Sequence, residues 1–306
     1  SGGLGNDAFF FGGAYDSSDT VDGGAGTLDQ VGLQGDYSGG VTLGTTTGVE
    51  LFVFLPGSET RYGAPGTETY NYSIATGNSA IAAGERMVFQ ANLLRASESL
   101  TLNASGEIDG RVMVYGGLGS DVLTGSQNDD AFYFGTGRFG AGDILDGQGG
   151  SFDSLGLQGD FSGGLLFGAN QLTSIEIIAL LSNTDTRYGG AGSGTPYSYN
   201  LTMNDGNVAA GQRMAISANM LASDETVVFD GSAETDGSFA IYAGAGNDTL
   251  IGSQGADTIF GGNGADLLTG NGGADIFGFS AVGNSTSASR DTILDFQPDQ
   301  MDRIDL

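Results

Sequence analysis

Four aspartates near the end of the chain, Asp248, Asp257, Asp266 and Asp275, stand nine residues apart, each behind a glycine-rich turn and two positions before an apolar residue. Gly244-Ala245-Gly246-Asn247-Asp248-Thr249-Leu250-Ile251 leads into Gly252-Ser253-Gln254-Gly255-Ala256-Asp257-Thr258-Ile259-Phe260, and two further copies carry the pattern to Phe277. A strict short period constrains a fold more than any other sequence feature, because a unit this short cannot bury its apolar side alone and must stack on its neighbours. Each unit divides into a turn closed by Asp and a short strand whose apolar residue points inward. If successive turns alternate between two sides of a flattened coil, residues 18 apart lie over one another. Asp248 then sits over Asp266, and Asp257 over Asp275.

Composition supports an ordered role for the glycine. Gly is 57 of 306 residues, against a usual share of about 7%, yet 39% of the chain is hydrophobic, which a flexible linker would not be. Glycine turns also cradle phosphate, but such loops add a Lys and a following helix, and all nine basic residues here are Arg. Isolated Asn-Asp-Gly turns read as plain hairpins; four copies in register do not.

The chemistry that suits these turns is calcium. Calcium takes six to eight hard oxygen ligands at about 2.3–2.6 Å. Glycines permit positive φ and let carbonyl oxygens converge, while a short Asp supplies a carboxylate from each turn. The candidate ligands are Gly246, Asn247, Asp248, Gly255, Asp257, Gly264, Asp266, Gly273 and Asp275. Shorter copies of the pattern place Asp7, Asp121 and Asp130 in the same class, although Gln127-Asn128 replaces glycine in one of them. A second recurring pattern, Asp19-Thr20-Val21-Asp22-Gly23-Gly24 with Asp29 and Asp143-Ile144-Leu145-Asp146-Gly147-Gln148 with Asp153, adds Asp22 and Asp146. These either extend the calcium ladder or cap solvent-facing turns. Asp109 and Asp236, in matching Asp-Gly pairs, read as turn residues.

The repeats match GGxGxDxUx, with U a large apolar residue, and so resemble the repeats-in-toxin (RTX) family of secreted calcium-binding proteins. The resemblance implies a parallel β-roll with calcium between stacked turns, and type I secretion. The closing stretch, Asp291-Thr292-Ile293-Leu294-Asp295-Phe296 through Asp302-Arg303-Ile304-Asp305-Leu306, is similar to the segment that follows such repeats in serralysin-type proteases.

A coarser repetition overlies the fine one. Gly32-Leu33-Gln34-Gly35-Asp36 returns as Gly156-Leu157-Gln158-Gly159-Asp160, Thr60-Arg61-Tyr62 as Thr186-Arg187-Tyr188, and Ala82-Ala83-Gly84-Glu85-Arg86-Met87 as Ala209-Ala210-Gly211-Gln212-Arg213-Met214. The expected organisation is a partial calcium-repeat block at 1–30, a β-rich spacer at 31–115, a second calcium block at 116–155, a second spacer at 156–242, and a terminal roll at 243–306. In the spacers, Met87 and Phe89, Leu100 and Leu102, and Val112 and Val114 alternate with period two, as do their second-half counterparts, which reads as short strands stacked in sequence. A parallel β-solenoid is favoured there over a compact β-sandwich, and Gly84 with the alternation argues against a long helix from Arg86 to Arg95. Tyr70, Tyr72, Tyr197 and Tyr199 read as half-buried strand tyrosines in preference to an exposed sugar-binding face. The fold class is therefore all-β, a parallel β-roll or β-solenoid with calcium-binding turns and two homologous spacers.

Several functions are disfavoured. With neither His nor Cys, Ser-His-Asp and Cys-His catalysis and a zinc-protease motif are absent. A carboxylate-pair glycosidase remains formally open, but the acids lie in repeated turns, so no enzyme is expected. A net charge of −28 repels nucleic acid and anionic membrane surfaces, and apolar runs such as Leu51 to Leu55 are too short to span a bilayer. No signal peptide is visible, and the opening Gly2-Gly3-Leu4-Gly5-Asn6-Asp7 lies inside a repeat, as in a piece of a longer protein. The expectation is an extracellular or cell-surface protein whose cofactor is Ca2+, with self-association or a surface polysaccharide as further partners.

Overall fold

Glycine turns at short intervals leave room only for strands of two to seven residues, and the structure uses them as rungs of parallel β-solenoid. The computed structural model describes residues 1–187 and 194–306; Tyr188, the end of one recurring triplet, lies outside them. The chain divides into two units, one of residues 1–134 with 142–153 and one of residues 135–141 with 154–306.

In the first unit, strands are dealt alternately to two parallel sheets. One contains Ala8–Phe11, Gln30–Leu33, Leu51–Phe54, Arg86–Gln90, Arg111–Tyr115 and Ala131–Gly135. The other contains Tyr37–Thr42, Tyr72–Gly77, Leu100–Gly106, Val122–Thr124 and Ile144–Asp146. The second unit repeats the scheme. Ser154–Gln158, Ile177–Leu180, Arg213–Ser217, Ser238–Tyr242, Thr258–Phe260, Ile276–Gly278 and Arg303–Asp305 form one of its sheets. Phe161–Leu166, Ser198–Thr202, Thr226–Asp230, Thr249–Ile251, Leu267–Thr269 and Thr292–Ile293 form the other.

Pairing in register stacks like on like. Ile241, Ile259 and Phe277 form one column, and Phe229, Leu250, Leu268 and Ile293 another. Except for the terminal Ile293, these side chains are buried. The spacer strands belong to the same sheets as the repeat strands: Met87 aligns with Val112, and Val114 with Phe132. The spacers are therefore solenoid, not sandwich. Among the described residues, strands consecutive in sequence do not pair, however. Leu102 belongs to the sheet opposite Phe89 and Val114, and aligns there with Leu123.

Two of the four tyrosines go deeper than expected. Tyr72 and Tyr199 are fully buried, and their hydroxyls donate at 2.6 Å to the carbonyls of Leu55 and Leu181. A buried phenol needs such a partner. Tyr70 and Tyr197 are half-buried.

Candidate metal centre

Parallel stacking puts the repeat aspartates directly over one another, and backbone hydrogen bonds connect them. Asp257 Oδ1 accepts from Phe239 N at 2.6 Å, while Asp257 N donates to Asp275 Oδ1 at 2.8 Å. On the opposite side, Asp248 Oδ1 accepts from Val227 N at 2.7 Å, and Asp248 N donates to Asp266 Oδ1 at 2.9 Å. The closing segment ends both ladders, with Asp291 accepting from Asp266 N and Asp302 from Asp275 N. In the first unit Asp121 accepts from Leu100 N and donates to Asp143, and Asp130 accepts from Val112 N and donates to Asp153. A third ladder runs from Asp7 through Asp29 to Glu50.

Each carboxylate is thus a structural acceptor first. The stacked carboxylates of Asp248, Asp257, Asp266 and Asp275 are buried with no Lys anywhere in the chain to neutralise them. Burial pushes Asp248 and Asp275 up to about 7, and Asp130, Asp257 and Asp266 up to about 6. Stacking adds to this, since Asp248 and Asp266 each repel a like charge. The second oxygens of Asp248, Asp266 and Asp275 have no hydrogen-bond partner, an unfavourable state for a buried charged atom.

These orphaned oxygens fit a hard cation. Gly264 has φ +139° and Gly273 φ +104°, and a Cβ on either would overlap the carbonyl oxygen one rung earlier, Gly246 or Gly255 respectively. Only glycine lets carbonyls and carboxylates of adjacent turns come this close. Carbonyl and carboxylate oxygens together, with no nitrogen or sulfur, are the donor set of calcium. Asn247 serves the stacking itself, its Oδ1 accepting from Ala265 N at 2.9 Å.

The raised values fix the sign of the pH dependence without calcium. A carboxyl whose folded value exceeds its unfolded one binds protons more tightly when folded, so its stabilising contribution is complete below about pH 4 and lost as pH rises through about 6 to 7. In chelator, the repeat rungs are therefore expected to resist urea better at pH 5 than at pH 8, measured by circular dichroism. Equal or lower resistance at pH 5 would sink this account.

The sequence-predicted residues separate into two groups. Asp7, Asp121, Asp130, Asp248, Asp257, Asp266 and Asp275 are all ladder members. Asp22 and Asp146 are not placed on a ladder: Asp22 is exposed and accepts from Ser1 Oγ, and Asp146 is half-buried and accepts from Gln148 N. Their companions Asp29, Asp143 and Asp153 hold the ladder positions instead.

Sequence reasoning also missed four glutamates. Glu98, Glu107, Glu225 and Glu234 are fully buried and lie on the turns one rung before Asp121, Asp130, Asp248 and Asp257. Glu98 accepts from Gly57 N at 2.7 Å and pairs with Arg95. Glu225 has Ala222 where Glu98 has Arg95, so it keeps the equivalent backbone donors, Asn183 N and Ala222 N, without the arginine side chain. Burial drives both carboxyls upward, but their hydrogen bonds outweigh it and hold them below the ordinary glutamate value. A signal was present: Glu98 and Glu107 are nine apart, as are Glu225 and Glu234.

Comparison with known families agrees with this geometry. Four copies of the RTX calcium-binding nonapeptide repeat match, over residues 113–138 and 242–277. No curated protein and no solved structure matches the chain significantly. Fold and ladders together define a β-solenoid calcium-binding repeat protein, with Ca2+ as the implied ligand. Among the described residues, no helix is long and apolar enough to cross a membrane.

Proposed function

We propose that the chain is a non-enzymatic extracellular protein that folds on calcium after export and serves as a structural component of a surface layer, adhesin or filament. Asp7, Asp121, Asp130, Asp248, Asp257, Asp266 and Asp275 supply carboxylate ligands, with carbonyls from Gly246, Gly255, Gly264 and Gly273. The observation that carries the reading is the stacking of buried acids, three of which, Asp248, Asp266 and Asp275, have a second oxygen without a hydrogen-bond partner. Cytosolic calcium is far below the affinity range of extracellular modules, about 10⁻⁴ to 10⁻³ M, so the repeats stay unfolded inside the cell and fold outside.

Duplication of the spacer-containing unit supports the structural role, because a secretion and folding domain needs no such spacer. Its test is sedimentation velocity of the chain in millimolar calcium. Ordered polymers, dissociated by chelator, are the expected result, and persistent monomer would overturn it. A second reading, the secretion and folding domain of a larger exported enzyme or toxin, is favoured by the closing segment, whose Asp291 and Asp302 finish both ladders.

A further inference from the structure

Outside the nonapeptides, in the second spacer, three carboxylates converge. Asp205, Glu234 and Asp236 each bring an oxygen within 4.8 Å of the other two. Glu234 lies in the turn 232–237, and Asp205 on the connection one rung earlier, held by Thr235 N and Thr235 Oγ1, which donate to its Oδ1 at 2.8 and 2.6 Å. An acidic cluster alone means little, but here one member is fully buried. Glu234 is 0% exposed. Its Oε1 accepts from Asp236 N at 3.1 Å and Gly237 N at 2.7 Å, while its Oε2 has no partner. No ion pair reaches the three carboxylates among the described residues. Arg213, which shares a cavity with Asp205 and Asp236, donates to the Ala256 carbonyl.

We propose that Asp205, Glu234 and Asp236 bind a calcium ion in a site separate from the nonapeptide ladder. The buried glutamate is pre-oriented by its two backbone donors, and the two exposed aspartates complete an all-oxygen set. They line an open cavity, through which the ion enters and water fills the remaining coordination positions.

The first half supplies an internal comparison. There Glu107 is also fully buried with Oε2 unpartnered, and its Oε1 accepts from Asp109 N and Gly110 N. Asn78 takes the place of Asp205, its Oδ1 accepting from Ile108 N at 2.8 Å as Asp205 does from Thr235 N. The frame is the same and one carboxylate has become an amide. Ligand charge count tunes calcium affinity, so the second-half site binds more tightly than its first-half counterpart.

The test is anomalous diffraction from crystals of the full chain grown in calcium. A peak about 2.3–2.6 Å from Glu234 Oε2 is expected. Peaks confined to the nonapeptide turns would overturn this site while leaving the repeat reading intact; no peak anywhere would overturn both. In solution, the double substitution Asp205→Asn with Asp236→Asn alters only exposed side chains. It is expected to remove one calcium per chain in equilibrium dialysis, and an unchanged stoichiometry counts against the site.

Discussion

Chelating calcium at pH 8 is expected to abolish the β-sheet circular dichroism of the repeat rungs, and restoring millimolar calcium to bring it back. The physical reason lies in the opposing terms. Folding the terminal roll stacks Asp248 over Asp266 and Asp257 over Asp275 in buried positions, within a chain of net charge −28. Desolvation disfavours each carboxylate, which is why their proton affinities rise. Fixing many glycines adds an entropy cost. A calcium site at tenfold excess over its dissociation constant contributes about 1.4 kcal/mol by mass action. About six such sites contribute roughly 8 kcal/mol, within the about 5–15 kcal/mol that is the whole stability of an ordinary domain. Removing that term leaves the charge repulsion uncompensated. An unchanged β-signal in chelator at pH 8 would show that hydrogen bonding and core packing alone hold the ladders.

The terminal roll was readable because nothing interrupts its period. With nine residues per strand-and-turn unit and 18 per rung, Asp248 and Asp266 fall into line from the sequence alone, and the Asp248 N to Asp266 Oδ1 bond realises that alignment. Elsewhere the coil tolerates insertions, because a loop can lengthen at a turn without disturbing the strands on either side. Asp121 reaches Asp143 across 22 residues, and Asp130 reaches Asp153 across 23. A search for a constant step passes over such pairs and stops at the Asp-Gly dipeptides Asp22-Gly23 and Asp146-Gly147, whose carboxylates only cap local turns or a chain end. The buried glutamates were hidden differently. Their longer side chains reach other backbone donors, Gly57 N, Tyr70 N and Arg95 N for Glu98 and Asn183 N, Tyr197 N and Ala222 N for Glu225, so they do not follow the aspartate pattern. Tyr72 was misjudged because strand alternation fixes which face a side chain takes, not how deep the next rung covers it.

Among substitutions, Asp257→Ala is expected to be the most damaging, with a loss of at least about 4 kcal/mol of unfolding free energy in calcium. Asp257 accepts from Phe239 N on the previous rung and from Ser253 N within its own turn, both at 2.6 Å, and also from Ser253 Oγ. Alanine strands these donors in a buried site, where each unmet partner costs about 1–3 kcal/mol, and it removes a calcium carboxylate as well. Asp146→Ala provides the contrast, because its half-buried carboxylate serves only Gln148; the expected loss is under about 1 kcal/mol. Asp266→Asn separates the two roles of a ladder carboxylate. Asparagine keeps an oxygen for Asp248 N, and its amide nitrogen replaces an oxygen that had no partner. In chelator at about pH 6, where Asp266 is still partly ionised and protonation of its neighbours helps hold the fold, relief from burying a charge should leave this variant at least as stable as the parent, whereas calcium should stabilise it less. Urea titrations with and without calcium measure both differences. If Asp266→Asn is instead weakened equally in the two conditions, Asp266 acts through hydrogen bonding alone, and calcium must be held by other oxygens of the turn.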